Sequence, residues 1–231
     1  MAALAAAPDA IRYCFRQAPE EGAAPVRLAQ PHGLAEHHAL ALAALLPLLG
    51  CGEEAAALAF DGLADRSDGP TTHALRLIAA EERHHDALIQ GLQATLPTPA
   101  DQADVLKAAR RFHIRLGLGG PAAHLAKIAA LDSAVCVIFS ALLRPGTPLA
   151  GAAPVYRTLH GIHRDEARHV ALSRGLAIAH GVTGRLRDAA ADARQALADI
   201  VRLAEESFDA LHVDPRALDR ALRRLPDGLL A

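Results

Sequence analysis

The chain has 231 residues, just over half of them hydrophobic, with a net charge of −2 and an aromatic share of only 3%. That length suits one large domain with a sizeable core. The near-neutral balance excludes an overall basic footprint for nucleic acid, and an Ala-, Leu- and Arg-rich composition favours closely packed helices and offers little for strands.

Residues 1–30 are rich in Ala and Pro and are expected to form a partly ordered arm, with a short helix around Asp9–Gln17. Residues 31–231 are expected to form a single helical domain. After Pro31-His32-Gly33 a helix runs from Leu34 to Leu49, and Gly50-Cys51-Gly52 breaks or kinks it before a second piece, Glu53–Arg66. Ser67-Asp68-Gly69-Pro70 ends that piece, and Thr71 and Thr72 can cap the next helix, which reaches about Gln93. Ala100–Leu118 is amphipathic and basic. Ala122–Leu143 is the most apolar helix, and its only acid is Asp132. A Pro- and Gly-bearing loop, Arg144–Ala153, leads to the helix Pro154–His180. Beyond Gly181 and Gly184, one long helix is expected over Arg185–His212, and a short last helix starts at Asp214-Pro215 and ends near Pro226. The C-terminal extension thus covers about 184–226. No stretch of useful length alternates with period two, so no sheet is expected.

Cys14, Cys51 and Cys136 are an odd number with no C-x-x-C spacing, and read as reduced thiols of a cytoplasmic protein. The start, MAALAAAPDAIRY, lacks the charged region and apolar run of a signal peptide. The most apolar run, Ala39–Leu49, is about half of a bilayer span. A soluble protein with no membrane or nucleic-acid partner is expected.

The chemistry concentrates in two related stretches. Ile78–Leu88 reads IAAEERHHDAL and Ile162–Leu172 reads IHRDEARHVAL. Each carries Glu-x-x-His, Glu82 with His85 and Glu166 with His169, and each Glu follows another acid, Glu81 or Asp165. Residues three apart share a helical face, so each pair can grip one ion. Asp132 and Glu166 lie about equally far from the Arg144–Ala153 loop, which puts them at one level of an antiparallel hairpin. An acid alone in so apolar a helix is costly to bury without a metal or a positive partner. On the first helix the level of Glu82 falls nearest Glu54, with Glu53 next and Glu36 an outside candidate. Glu81 and Asp165 can orient the histidine of the facing helix or be held in salt bridges by Arg83 and Arg168. No H-E-x-x-H, G-x-S-x-G, phosphate-binding loop or dinucleotide fingerprint is present.

The doubled Glu-x-x-His, with DEARH in its second copy, resembles the ferritin-like di-iron carboxylate superfamily over roughly Glu53–Gly181. The resemblance implies an all-α, ferritin-like four-helix bundle with additional N- and C-terminal helices. It implies Glu54, Glu82, His85, Asp132, Glu166 and His169 as ligands of two iron ions, with manganese or a mixed pair as the alternative. His163, one turn before Glu166, is a candidate further ligand, a hydrogen-bond donor behind the ligands or a solvent-facing histidine. The arylamine N-oxygenase branch has an extra histidine one position earlier, where this chain has Ile162. The expected activity is O2-dependent oxidation or oxygenation of a small organic molecule, with N-oxygenation of an amine its most specific form, fed by an external electron donor. Iron oxidation and storage, as in ferritins, is the first rival, and a non-catalytic helical interaction protein the second. The Arg185–His212 helix could cover the bundle or form a homodimer face.

Overall fold

The computed structural model describes residues 14–15, 32–98 and 103–231. The expected helix around Asp9–Gln17 and the 1–30 arm lie outside the described residues, except for Cys14 and Phe15. Among the described residues every regular element is a helix, so the fold class is all-α. In chain order these are α1 (Glu36–Ala64), α2 (Gly69–Gln93), α3 (Ala103–Leu116), α4 (Pro121–Leu142), the single turn α5 (Pro148–Gly151), α6 (Ala153–Ala179), α7 (Gly184–Val201), α8 (Glu205–Ala210) and α9 (Pro215–Arg223).

Two hairpins, α1–α2 and α4–α6, make the frame. Contacts between α1 and α2 step in opposite directions, from Ala43 with Gln93, through Glu53 with His85, to Asp65 with Arg76, as antiparallel neighbours require. The hairpins meet where α2 faces α6, again antiparallel, with Glu81 against His169 and His85 against Asp165. By contrast, α1 and α4 barely touch. Their separation leaves a cleft, and α3, α7 and α8 pack along it.

One continuous helix, α1, replaces the two expected pieces, and runs through Pro47, Gly50 and Gly52. Proline removes one backbone donor, which leaves the carbonyl four residues earlier without its helical partner. Here that carbonyl, Ala43, accepts a hydrogen bond from Gln93 Nε2 on α2 at 3.1 Å. The glycines each cost about 1 kcal/mol of helix propensity. Burial of Leu42, Leu45, Leu46 and Phe60, all fully enclosed, outweighs that cost.

The expected C-terminal helix divides instead. A 3-10 turn, Arg202–Ala204, separates α7 from α8, so Phe208 on α8 turns back into the core. No proline or glycine marks the break, and it follows from the burial of Phe208 and Leu211 rather than from local signals. Neither Thr71 nor Thr72 caps α2. That helix begins at Gly69 with Pro70 in its first turn, and Thr72 donates to the Ser67 carbonyl. Asp214 does cap α9, accepting from the N–H groups of Arg216 and Ala217 at 2.9 and 3.3 Å. Replacing it with alanine is expected to cost about 1 kcal/mol in urea denaturation.

Both α1 and α4 are long and apolar enough to cross a membrane by length and composition, but 61% of the apolar window of each is buried inside the protein. The cysteines depart from expectation. Cys14 and Cys51 form a disulfide, and Cys136 is free. Spacing could not foresee it, because it depends on the chain before α1 returning to that helix. With two of the three cysteines bonded to each other, the cysteines do not point to a reducing compartment.

Candidate metal centre

The four frame helices each deliver acid to one level of the core. Glu53 comes from α1, Glu82 and His85 from α2, Asp132 from α4, and Glu166 and His169 from α6. None is more than 7% exposed. Ligand atoms of Glu53, Glu82, His85 and Glu166 all lie within 4.8 Å of one another, so this group could hold a metal ion.

His169 extends the group. Its Nδ1 is 2.9 Å from Glu82 Oε1 and 3.6 Å from Glu166 Oε1. His85 Nδ1 is 3.4 Å from both Glu82 Oε2 and Glu166 Oε1, and 3.3 Å from Glu53 Oε2. Glu82 and Glu166 therefore stand between the two imidazoles, while Glu53 lies to the His85 side. Six buried atoms, one from each of the six residues, have no hydrogen-bond partner: Glu53 Oε2, Glu82 Oε1, His85 Nδ1, Asp132 Oδ2, Glu166 Oε1 and His169 Nδ1. Five of these atoms face one another only as carboxylate–imidazole pairs, at 2.9 to 3.6 Å, and four acids set against two imidazoles leave a core that a cation would stabilise.

The far nitrogens of the two histidines are held from outside. His169 Nε2 lies 2.8 Å from Glu81 Oε2, and His85 Nε2 lies 3.4 Å from Asp165 Oδ2. Each acid thus serves the histidine of the opposite helix. Arg168 ties the acids together, 2.7 Å from Asp165 and 3.3 Å from Glu81. With Nε2 as donor to a carboxylate, the Nδ1 lone pair of each ring faces inward, the orientation a metal ligand needs. Asp165→Asn is expected to weaken metal binding about 10- to 100-fold while the chain stays folded, as measured by competition with a chelator.

Charge balance without metal is uneven. Burial pushes Glu53 and Asp132 well above the usual carboxylate range, and Glu166 and Glu82 push both further. Burial would raise Glu82 too, but His169 and His85 outweigh it and hold that carboxyl at about 2. For His169 the order is the same: burial opposes protonation, yet Glu166 and Glu82 lift it to about 11. His85 is raised in the same way by Glu166, Glu53 and Glu82. Protonated imidazoles thus offset the acids, and a bound cation would displace their protons.

Five of the expected ligands, Glu82, His85, Asp132, Glu166 and His169, come together at this level. On the first helix the acid is Glu53, not Glu54. Glu54 Oε2 accepts from the backbone N–H groups of Cys14 and Phe15 at 3.1 and 2.7 Å, and Glu36 is exposed at the start of α1. Matching levels across a hairpin fixes height but not direction, and successive residues point about 100° apart. The apolar stripe carried the missing signal: Leu42, Leu45, Leu49 and Phe60 are all buried, and Glu53 continues their spacing while Glu54 does not. His163 stays outside the group, with Nε2 3.3 Å from Ser140 Oγ and its ring beside Phe139 and His160. Burial and His160 hold its pKa below the usual value. Cys136, one turn after Asp132, is pushed up to about 12 by burial, Glu166 and Asp132, which keeps it an unreactive thiol.

The cleft between α1 and α4 forms a cavity that reaches Glu53, Glu82, Asp132 and Glu166. Its volume is about 110 Å3, and its other walls are mainly apolar. One residue the sequence reading did not single out, His124, lines it. No family model matches the chain, and neither a curated protein nor a solved structure does.

Proposed function

We propose that the protein is an O2-dependent dinuclear-iron oxidoreductase of ferritin-like arrangement, acting on a small organic molecule. The observation that carries this reading is the convergence of six buried acid and imidazole side chains from four helices on one level of the core. Four carboxylates and two imidazoles are a donor set suited to iron or manganese. Glu53, Glu82, His85, Asp132, Glu166 and His169 would hold the ions. Two ferrous ions, when bound, supply two electrons to O2, and an external donor restores them after each turnover.

The chain's own residues do the rest. Glu81 and Asp165 hold the Nε2 protons of the two histidines, so both rings stay oriented through the cycle. Burial of all six side chains keeps bulk water from the acids. The apolar cavity brings an organic molecule to the one wall that carries charge. That cavity favours oxidation of an organic substrate over iron storage, which would need a polar path for hydrated ions. N-oxygenation has lost its pointer, because His163 bonds to Ser140 instead of joining the group.

The test is anaerobic loading with ferrous iron, a count of bound ions, and a spectrum after O2 is admitted. About two irons per chain are expected, with a transient visible band. Glu53→Gln should lose at least one ion, whereas Glu54→Gln should keep both. Failure to bind iron or manganese in stoichiometric amounts would defeat the reading, and a helical interaction protein would be left.

A further inference from the structure

The cavity beside the acids is long in one direction. Its lining runs along α1 from Leu45 to Ala59 and along α4 from Ile138 to His124. At the rise of a helix each run spans about 20 Å. Glu53 and Asp132 stand near the middle of these runs, so a molecule in the cavity lies across them.

One end carries a polar group with nothing to bind. His124 is only 7% exposed, lines the cavity, and its Nδ1 has no hydrogen-bond partner. Burial first, then the charges of Lys127 and Arg66, hold its pKa at about 4, so the ring is neutral and sits in a positive field. Lys127 is one turn further along α4, and its ammonium is anchored by the carbonyls of Leu116 and Leu118 at 3.2 and 2.7 Å. The cavity is therefore polarised, with cations near His124, acids at mid-length, and, apart from His113 on α3, apolar wall elsewhere. As its Nδ1–H tautomer the neutral ring offers a free donor to an anion, and the Lys127 and Arg66 charges favour that anion over a neutral head.

We propose that this cavity binds an unbranched alkyl carboxylate, its head on His124 and its chain laid past Glu53 and Asp132. About 12 Å of helix separates His124 from Asp132, so the head stays clear of the acids while carbons about ten along the chain lie beside them. The assignment deepens the oxidoreductase reading and rests on it only for what happens to those carbons; binding itself requires no metal.

Calorimetric titration of the metal-free, full-length protein with decanoate, below its micellar concentration, tests the proposal. One decanoate per chain is expected, with decan-1-ol at least tenfold weaker. His124→Leu, which keeps the apolar volume, should weaken decanoate at least tenfold. Arg66→Met, acting through space, should weaken it about threefold at low salt. Ala56→Phe, which fills the tunnel between the head and Glu53, should abolish binding of both ligands. Decanoate binding retained in Glu166→Ala would support the cavity assignment even if iron loading failed. Equal binding of decanoate and decan-1-ol, or undiminished binding in folded His124→Leu, would overturn the head assignment. A protein that takes up iron but no decanoate would overturn the ligand class and leave the metal reading standing.

Discussion

Replacing Asp132 with asparagine is expected to move the metal-free and metal-loaded proteins in opposite directions. Asp132 is buried, its Oδ2 has no partner, and burial together with Glu166 and Glu82 raises its pKa. A carboxyl whose folded pKa exceeds its unfolded one contributes most below the unfolded value, and that contribution is lost as pH rises toward the folded pKa. Above its unfolded pKa, holding this carboxyl in the core is therefore a burden on the metal-free fold. Asparagine removes it and keeps the shape, so the metal-free protein should gain about 1–2 kcal/mol in urea denaturation. With Fe(II) or Mn(II) in excess the order should reverse, because the variant lacks one anionic donor and forfeits linkage stabilisation of about 3–4 kcal/mol at a thousandfold excess over Kd. The histidines add a pH signature. His85 and His169 have raised folded pKa values, so their stabilising effect is complete below about pH 6.5 and fades as pH rises toward 11. Metal-free wild type should accordingly gain stability from pH 9 down to about 6. Glu82, held at about 2, loses its contribution only as pH falls below about 4. An Asp132→Asn variant that is destabilised without metal and unchanged with it would mean that Asp132 pairs with a protein group and has no part in metal binding.

The sequence disclosed the pairs that local geometry alone defines. Glu82 with His85, and Glu166 with His169, share a helical turn whatever the tertiary fold, and the acids preceding them are carried along in register. That is why the exchange between Glu81, Asp165 and the facing histidines was legible. Asp132 was legible for another reason, since a single acid in an apolar helix must be accounted for. Glu53 was not, because choosing between neighbours requires the direction of α1, and a supposed break at Gly50–Gly52 erased the stripe that gives it. The continuity of α1 depends on Gln93 reaching the Ala43 carbonyl, fifty residues away in sequence. The Cys14–Cys51 bond and the turn into α8 are non-local in the same sense. His124 was invisible because a histidine has no anomalous spacing to betray it; only the unpaired Nδ1 in a cavity wall does.

Arg194 offers the opposite case, a buried charge that serves the fold and leaves the candidate metal site alone. It is 1% exposed on α7, and its guanidinium donates to Leu222 O at 2.7 Å, Ala221 O at 2.9 Å, Ala130 O at 3.0 Å and Ser133 Oγ at 3.4 Å. Ala221 and Leu222 lie in the last turn of α9, where carbonyls have no partner within the helix. A helix as short as α9 does not persist alone, so its place depends on such contacts and on the burial of Leu218 and Leu222. The arginine meets both needs, closing the bare carbonyls and setting positive charge at a helix C-terminus. Arg194→Met keeps much of the volume but leaves the Leu222 carbonyl buried and unpaired and takes the partner from the Ala221 carbonyl. The expected loss is about 3–4 kcal/mol, a fall in Tm of about 10 °C for a chain of this size. Arg194→Lys should recover less than half, because an ammonium cannot reproduce the planar fork that reaches α4 and α9 together. Ferrous-iron stoichiometry should be unchanged in both variants at temperatures where they are folded, since no ligand lies on α7 or α9. A loss below about 1 kcal/mol would show that α9 is held by its leucines alone. Loss of iron binding in a folded Arg194→Met would show instead that α4 depends on this clamp to keep Asp132 in place, two residues from Ala130.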